Sequence, residues 1–403
     1  MRRSLGLAAL ILLVATAALA QQTVKLPGMQ FSGKITRDAN GVTHIEAMTQ
    51  YDMYFLQGYA HAQDRLFQMD YLRRIASGTL GELLGPAALP SDVQLRVMGL
   101  RSAAISSYDI LSLRGKSAVT AYTAGVNAYL ASNPTLPPEY AALEITKVSP
   151  WTPVDSVVVA KLLAFQLAFD LGDIDRTIAL LSYQAAGQIA GFDGTKLFSE
   201  DLFRSQPFTP ASTVPDASSA SGKGALESDA LESEPPVDLT KVAEQYDPAL
   251  LELAQDYLDR IQDVPILRNA IRRERAEGSN MWAIQGRHTA SGMSLMANDP
   301  HLLLDAPSVW YLNSIRAGRR SAAGHSFAGI PGVVLGTNGS IAWGSTVNPM
   351  DQTDVFQEKL EIDPLSPTGF ATRYNGVKEF VFGTLQTWKA NAIGDKAMDN
   401  LVT

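Results

Sequence analysis

A serine preceded by glycine marks the point at which the chain changes character. The run RRERAEGSNMWAIQG (272–286) is charged and helix-like up to Gly278, and it is apolar and strand-like after Ser279-Asn280. A serine hydroxyl needs a base, and no Ser–His pairing is evident nearby. If the chain is cut before Ser279, the new α-amine, with an ordinary pKa of about 7.7–8.0, supplies that base on the same residue. The composition alone favours a second interpretation, an ordinary Gly-Ser-Asn turn.

A second serine lies in a near match to the esterase elbow G-x-S-x-G. The stretch GHSFAG (324–329) has Ala328 where the last glycine belongs, and IPGVVLG, which follows, is not the helix that an elbow requires. The sequence also lacks the phosphate-binding loop, the dinucleotide fingerprint and H-E-x-x-H. An esterase with Ser326 as nucleophile is therefore an alternative that the motif supports poorly.

The composition excludes several classes of site. The 403 residues are 46% hydrophobic and 18% charged, so most of the chain can bury a core, and the length exceeds that of one compact domain. The net charge of −8 gives no basic face for nucleic acid. There is no cysteine, which excludes disulfides, thiolate nucleophiles, zinc–thiolate sites and iron–sulfur clusters.

The first 20 residues are typical of a secretory signal peptide. MRRSLGLAALILLVATAALA has two arginines, an apolar run from Leu5 to Ala18, and Ala18-Leu19-Ala20 before Gln21. A membrane anchor is the alternative, but it needs about 20 apolar residues. No later stretch is long and apolar enough to span a bilayer. We therefore expect a periplasmic or secreted protein that is free of the membrane once the signal is removed.

The elements around Ser279 change in kind along the chain. Residues 24–47 predict a hairpin with a turn at Asn40-Gly41, and helices are predicted for the ranges that follow: 51–76, 115–131, 153–171, 175–186 and 248–262. The stretch 206–239 is rich in Ser, Pro, Ala and acidic residues and is predicted to be disordered. After Ser279, short apolar or alternating segments separated by Gly, Asn or Asp predict strands.

Several motifs in the same order resemble the penicillin acylase family of N-terminal-nucleophile hydrolases. They are SNMWAI after a glycine, NDPHL (298–302), GIPGVVLGTNGSIAWGSTVNPMDQTDVF (329–356), DANGVTHIEA (38–47) and GYAHAQDRLFQMDYLRRIASGTLGELLG (58–85). The resemblance covers most of the chain outside the predicted disordered segment. It implies an α+β fold with a four-layer αββα sandwich, and an exported amidohydrolase that cuts itself before a serine.

The resemblance assigns roles to individual residues. Ser279 matches the nucleophile and Gly278 the residue before the cut, whereas Val347 matches the residue whose backbone N–H binds the oxyanion. His301 matches a position near the α-amine, where it would orient the serine or tune proton transfer; the alternative is a loop histidine that Asp299 caps. The second oxyanion donor of the family, an asparagine, would lie beyond Thr403, so we expect the chain to be a fragment.

The resemblance also implies a calcium site and an acyl pocket. Asp351, Thr353 through its carbonyl, and Asp354 match the calcium ligands, together with an acidic residue of the α-chain, for which Asp173 is the best match and Asp175 the second choice. A solvated acidic turn is the alternative for this motif. The acyl pocket would include four residues, each of which could equally be core packing: Leu302, Leu335, Phe169 and Trp310.

These assignments predict a division of the chain and a reaction. The expected segments are a signal peptide (1–20), an α-chain of hairpin plus helices (21–205), a region that contains the disordered segment and the spacer (206–278), and the start of the β-chain (279–403). The α- and β-chains would form a heterodimer. The substrate would be a small amide, such as a β-lactam side-chain amide or an N-acyl homoserine lactone. A non-catalytic exported binding protein of the same fold is the alternative from another functional class.

Overall fold

The computed structural model describes residues 20–169, 172–204, 249–271, 278–302, 305–346, 356 and 358–403. These residues form two compact units. The first contains residues 20–167, 278–346 and 386–403, and the second contains the described residues between 168 and 271 and between 356 and 385. The described residues include no helix that is both long and apolar enough to cross a membrane.

The first unit begins with strands and continues with helices. Its helices are α1 (Gln50–Ser77), α2 (Gly81–Leu84), α3 (Leu89–Met98), α4 (Leu100–Ile110), α5 (Leu113–Ala131), α6 (Pro138–Ala142) and α7 (Pro153–Ala168). The helices predicted for 51–76, 115–131 and 153–171 correspond to α1, α5 and α7, with ends that differ by at most three residues. The sequence patterns did not reveal α3 and α4.

Two glycines bring α1 and α5 into close contact. A Cβ atom on Gly58 would lie 2.1 Å from the carbonyl oxygen of Tyr122, and one on Gly125 would lie 1.8 Å from that of Phe55. Gly58, which could have broken the helix, therefore serves packing, and α1 continues through it. The non-helical residue of α1 is Arg65, with φ −142° and ψ 23°.

A seven-stranded sheet is the second layer of this unit. Its order is β1-β2-β3-β6-β7-β8-β9, from the following strands: β1 (Ala20–Val24), β2 (Gly33–Arg37), β3 (Thr43–Ala47), β6 (Trp310–Ala317), β7 (Arg320–Phe327), β8 (Leu335–Thr337) and β9 (Ala342–Trp343). The predicted hairpin is confirmed as β2–β3, with Gly41 at φ 78° in its turn. Because β3 pairs with β6 in parallel, residues far apart in sequence share one sheet.

The core lies between α1 and this sheet. Ile35 and Ile45 from the hairpin pack with Phe55 and Leu56 of α1 and with Ile315 of β6, and all five are at most 3% exposed. Burying such a side chain stabilises the fold by about 1.5–3 kcal/mol. A helix layer thus packs on a sheet, and the predicted α+β class is confirmed.

Two further strand pairs belong to the first unit. β4 (Gly278–Ile284) and β5 (Leu295–His301) form an antiparallel hairpin, and β13 (Ala390–Asn391) pairs with β14 (Leu401–Val402). A short 3-10 helix, Gly286–His288, lies in the connection between β4 and β5.

The second unit is helical with one small sheet. Its helices are α8 (Gly172–Ala190), α9 (Gly194–Arg204), α10 (Ala249–Ile261) and α11 (Pro265–Ile271). The helices predicted for 175–186 and 248–262 correspond to α8 and α10. The sheet consists of β10 (Glu361–Ile362), β11 (Phe370–Tyr374) and β12 (Val377–Phe380). The predicted spacer lies mostly outside the described residues, and the predicted domain boundaries stay predictions.

Candidate functional site

The β4–β5 hairpin presents Ser279 at its open end. In the antiparallel register Gly278 faces His301, Ser279 faces Pro300 and Asn280 faces Asp299. The Ser279 hydroxyl donates a hydrogen bond of 2.6 Å to the carbonyl oxygen of Gly278. The predicted nucleophile therefore lies in an extended strand, and its hydroxyl lies against the peptide bond that self-cleavage would break.

The face of the hairpin that carries Ser279 also borders a cavity. Side chains directly opposite each other in an antiparallel pair lie on the same face, and successive residues alternate between faces. Ser279, Pro300, Asn298 and Met296 therefore share one face. Pro300, Asn298 and Met296 line a cavity of about 460 Å³, to which Asp299 of the other face also contributes.

Two of the four predicted acyl-pocket residues line this cavity. Leu335 of β8 and Trp310 of β6 form part of its wall, together with Trp343 of β9, which the sequence analysis missed. The Trp310 ring also stacks on Phe327 at 4.3 Å between centroids, which fixes the orientation of the indole. The wall next to the serine face is thus largely apolar.

The other two predicted pocket residues are not among those that line the cavity. Leu302 directly follows β5 and is not among the described residues that line the cavity. Phe169 follows α7 and belongs to the second unit. Their contribution to an acyl pocket stays a prediction.

The segment of residues 344–346, which follows β9, is hydrogen-bonded to the β4–β5 hairpin that carries Ser279. The Thr346 hydroxyl donates a hydrogen bond of 2.7 Å to the carbonyl oxygen of Ser279. The Asn298 amide donates to the carbonyl oxygens of Ser345, at 2.9 Å, and Asn280, at 3.1 Å, and it accepts from the Ser345 N–H at 3.1 Å. Asn298 and Ser345 are 47 positions apart in the sequence, and Ser279 and Thr346 are 67 positions apart. The motifs NDPHL and WGST contain Asn298, Ser345 and Thr346, but neither motif indicates that these contacts form.

His301 lies on the other face of the hairpin. Because it faces Gly278, the alternation of the strand turns its side chain away from the face of Ser279. Its Nε2 atom lies 2.9 Å from the Asp299 carboxylate, and both side chains are exposed. In the uncut chain His301 therefore has the Asp299 contact that the alternative interpretation, a capped loop histidine, predicts. A role for His301 beside the α-amine stays a prediction.

The remaining site predictions lie largely outside the described residues. Val347, Asp351, Thr353 and Asp354 fall within 347–355, which the structure does not describe. Asp173 lies in the first turn of α8, where only its backbone is described. Within the described part of the chain, His, Asp and Glu residues form no group of three or more that could hold a metal ion.

Ser326 lies in the interior on β7 and has the neighbours of a structural residue. It is 0% exposed, its hydroxyl accepts from the Asn313 amide at 2.8 Å, and it lies 3.2 Å from Nε2 of His61. The other ring nitrogen of His61 lies 2.7 Å from the Tyr122 hydroxyl, and burial lowers the His61 pKa from 6.5 to about 3. β7 continues through Ser326 as a regular strand paired with Tyr311, so the structure provides neither an elbow nor solvent access for an esterase.

Comparison with known proteins finds relatives along most of the chain. The family model described as Penicillin amidase matches residues 32–382. An acyl-homoserine lactone acylase, QuiP, of Pseudomonas aeruginosa is 35% identical over 83% of this chain and 35% of its own length. A penicillin acylase 2 proenzyme of Pseudomonas sp. strain SE83 is 29% identical over 85% of this chain and 39% of its own length. The penicillin G acylase of Escherichia coli is 27% identical over 82% of this chain and 40% of its own length.

A solved structure is also similar. The thermostable penicillin G acylase from Alcaligenes faecalis is 30% identical with a TM-score of 0.41, and the match covers 46% of this chain and 97% of that one. The chain spans between a third and two fifths of the length of the curated relatives cited above. Because the family model matches most of the chain, from residue 32 to residue 382, the chain belongs to the penicillin amidase family of N-terminal-nucleophile hydrolases.

Proposed function

We propose that this chain carries the nucleophile of an exported amidohydrolase of the penicillin acylase type. The protein would cut itself before Ser279 and then hydrolyse the amide bond of an acylated amine. The observation that carries the proposal is the position of Ser279. Its hydroxyl lies 2.6 Å from the carbonyl oxygen of Gly278, and its side chain shares a face with three residues that line the cavity.

Self-cleavage would proceed by attack of the serine on its own peptide bond. The Ser279 Oγ bonds to the carbonyl carbon of Gly278, and the bond from that carbon to the Ser279 nitrogen breaks while the nitrogen takes up the hydroxyl proton. Gly278 is then held as an ester, which water hydrolyses. The products are the Gly278 carboxylate and a Ser279 with a free amine and a free hydroxyl.

Turnover would use the two groups that the cut sets free. The α-amine takes the hydroxyl proton while Oγ bonds to the substrate carbonyl carbon, and the ammonium then gives a proton to the leaving amine. Water hydrolyses the acyl-enzyme by the same route and releases the acid. We propose that the Val347 N–H stabilises the oxyanion and that His301 orients the amine, as the family resemblance implies.

The cavity supports an apolar acyl group as the part of the substrate that is recognised. Met296, Trp310 and Leu335 give its wall an apolar character, and its volume of about 460 Å³ accommodates a chain of several carbons. The family resemblance also assigns Leu302 and Phe169 to the acyl pocket. Relatives named for acyl-homoserine lactones and for penicillin favour a lactone or a β-lactam nucleus as the leaving amine.

The supporting parts of the proposal come from the sequence motifs. The leader at residues 1–20 supports export to the periplasm or the medium. Asp351, Thr353 and Asp354, with Asp173, supply oxygen ligands of the kind that calcium prefers, and the ion would stabilise the fold. After the cut, the α- and β-chains would remain together as a heterodimer.

The test is the state of the complete gene product expressed with its leader. We expect N-terminal sequencing to find a chain that begins at Ser279, and acid release from penicillins or N-acyl homoserine lactones. Ser279→Ala should abolish both. Ser326→Ala, the matched control, should retain both, because Ser326 is fully buried. An uncut chain that still hydrolyses amides would contradict the proposal, and a cut chain that binds but never hydrolyses them would favour the binding protein.

A further inference from the structure

Self-cleavage makes Ser279 the first residue of its chain, so something other than the preceding peptide must then hold it. Terminal residues lose order unless they are tied down, whereas a nucleophile has to be held to within about 0.5 Å of its working position. Before the cut, covalent bonds fix Ser279 on both sides. After it, the residue depends on the next residue of β4 and on its hydrogen bonds.

The residue opposite Ser279 cannot donate a hydrogen bond to the Ser279 carbonyl. Ser279 faces Pro300, and proline has no backbone N–H. Pro300 therefore cannot donate to the Ser279 carbonyl oxygen. The Thr346 hydroxyl donates a hydrogen bond of 2.7 Å to this oxygen.

Thr346 is itself held by the residue before it. The Asn298 amide bonds both the N–H and the carbonyl of Ser345 and, through the Asn280 carbonyl, returns to β4. Gly344 permits this approach, since a Cβ atom there would lie 2.5 Å from the Asn298 side-chain oxygen. Asn298 of β5 thus fixes the position of the Thr346 hydroxyl, and this hydroxyl in turn positions Ser279.

We propose that Thr346 is a positioning residue that anchors the newly formed N-terminus at Ser279, with Asn298 as its support. This inference rests on the proposed function. It predicts different effects on self-cleavage and on turnover. During self-cleavage the Gly278–Ser279 peptide still holds the serine, so the Thr346 hydroxyl contributes little. During turnover that peptide is gone, and the hydroxyl is needed to hold Ser279. Loss of the Thr346 hydroxyl should therefore spare maturation and lower kcat.

The experiment compares Thr346→Val, which keeps the shape and loses the donor, with Thr346→Ser, which keeps the donor, in the complete exported protein. Thr289→Val is the matched control, because the Thr289 hydroxyl also donates to main-chain carbonyls but lies in the connection at the far end of the same hairpin. For each protein we would measure the fraction of chains that begin at Ser279, kcat and KM for an N-acyl homoserine lactone, and the melting temperature.

We expect Thr346→Val to mature fully and to lose roughly ten-fold in kcat, the equivalent of one hydrogen bond, with KM little changed. Thr346→Ser should recover most of this loss, and Thr289→Val should keep the original kcat. A fully matured Thr346→Val with unchanged kcat would overturn the inference while leaving the proposed function intact. A variant that fails to mature at an unchanged melting temperature would also overturn it. A wild-type protein without a chain starting at Ser279 would instead overturn the proposed function.

Discussion

Ser279 and Pro300 face each other across β4 and β5, and this pairing places the serine side chain on the face that carries Met296 and Asn298. A slip of one residue would move it to the opposite face, because side chains alternate along a strand. Pro300, Met296 and Asn298 line the cavity, as does Leu335. The register therefore places the nucleophile on the hairpin face that contributes three of the four hairpin residues in the cavity wall.

Leu335→Phe should shift the preference among acyl chains. Leu335 is 6% exposed and lines the cavity, so a larger ring there would shorten the space for the acyl group. We expect kcat/KM to fall roughly ten- to a hundred-fold for a long acyl chain and much less for a short one, since each methylene group counts in such a pocket. A series of N-acyl homoserine lactones of increasing length measures this.

The control for this substitution is Ile341→Phe. Ile341 lies between β8 and β9 and is 63% exposed, so an added ring there should leave the length profile unchanged. If Leu335→Phe also left the profile unchanged, the acyl group would bind elsewhere than in this cavity.

The sequence could supply the chemistry of the site but not all of its contacts. Several motifs in one order predict Ser279 as the nucleophile, and two of the four residues predicted for the acyl pocket, Leu335 and Trp310, line the cavity. Thr346 and Asn298 escaped notice because their partners are 67 and 47 residues away. Local pattern carries no information on such pairs when a single sequence is considered.

The fold shows the same limit. The periodicity of apolar residues predicted α1 and α5, because each buries one face along several turns. The parallel pairing of β3 with β6 joins residues 43–47 to 313–317. The sequence pattern of each strand does not indicate which other strand it pairs with. A glycine within a helical pattern, such as Gly58, can mark a break, whereas in the structure Gly58 lets α5 approach α1.

Gln57→Leu should loosen the loop that leads into the cavity wall. The buried Gln57 amide donates to the Gly332 carbonyl and accepts from the Gly332 N–H, both at 2.8 Å, three residues before Leu335. Leucine can replace neither bond, so we expect unfolding to become easier by about 1–3 kcal/mol. Urea denaturation of the Ser279→Ala chain, which stays uncut, is the measurement.

Gln63→Leu on the same helix is the comparison for Gln57. Its side-chain oxygen accepts one exposed hydrogen bond from Arg37, so we expect a change within about 0.5 kcal/mol. Equal effects of the two substitutions would show that the contact with Gly332 contributes nothing particular.

His61 should make the fold sensitive to acid. Burial, with a smaller contribution from Arg65, lowers its pKa from 6.5 to about 3 in the folded chain. The unfolded chain therefore binds a proton at a higher pH than the folded chain does. The stabilisation is complete above pH 6.5 and is lost towards pH 3 as the pH falls, by about 1.4 kcal/mol per pH unit.

The difference between wild type and His61→Gln isolates this contribution. Both would be studied in the Ser279→Ala background by urea denaturation at pH 7, 5 and 4. We expect the free energy of unfolding of the wild type to fall more steeply with acid than that of His61→Gln, which has no group to titrate at this position. Parallel curves would mean that His61 titrates alike in both states.

Gly278 and Gly344 should respond in opposite ways to an added methyl group. Gly278 lies in β4, is not among the glycines with positive φ, and no described atom lies within 4 Å of a Cβ placed there. Nothing among the described residues thus requires a glycine at this position before the cut, and we expect Gly278→Ala to fold with unchanged stability and still to mature. At Gly344 the methyl group would collide with Asn298, so Gly344→Ala should cost about 1–3 kcal/mol and lower kcat by displacing Thr346. Melting temperatures, the fraction of chains that begin at Ser279, and kcat distinguish the two. A folded Gly278→Ala that remains uncut would show that glycine is needed during the attack itself, where the peptide has to distort, and not in the ground state.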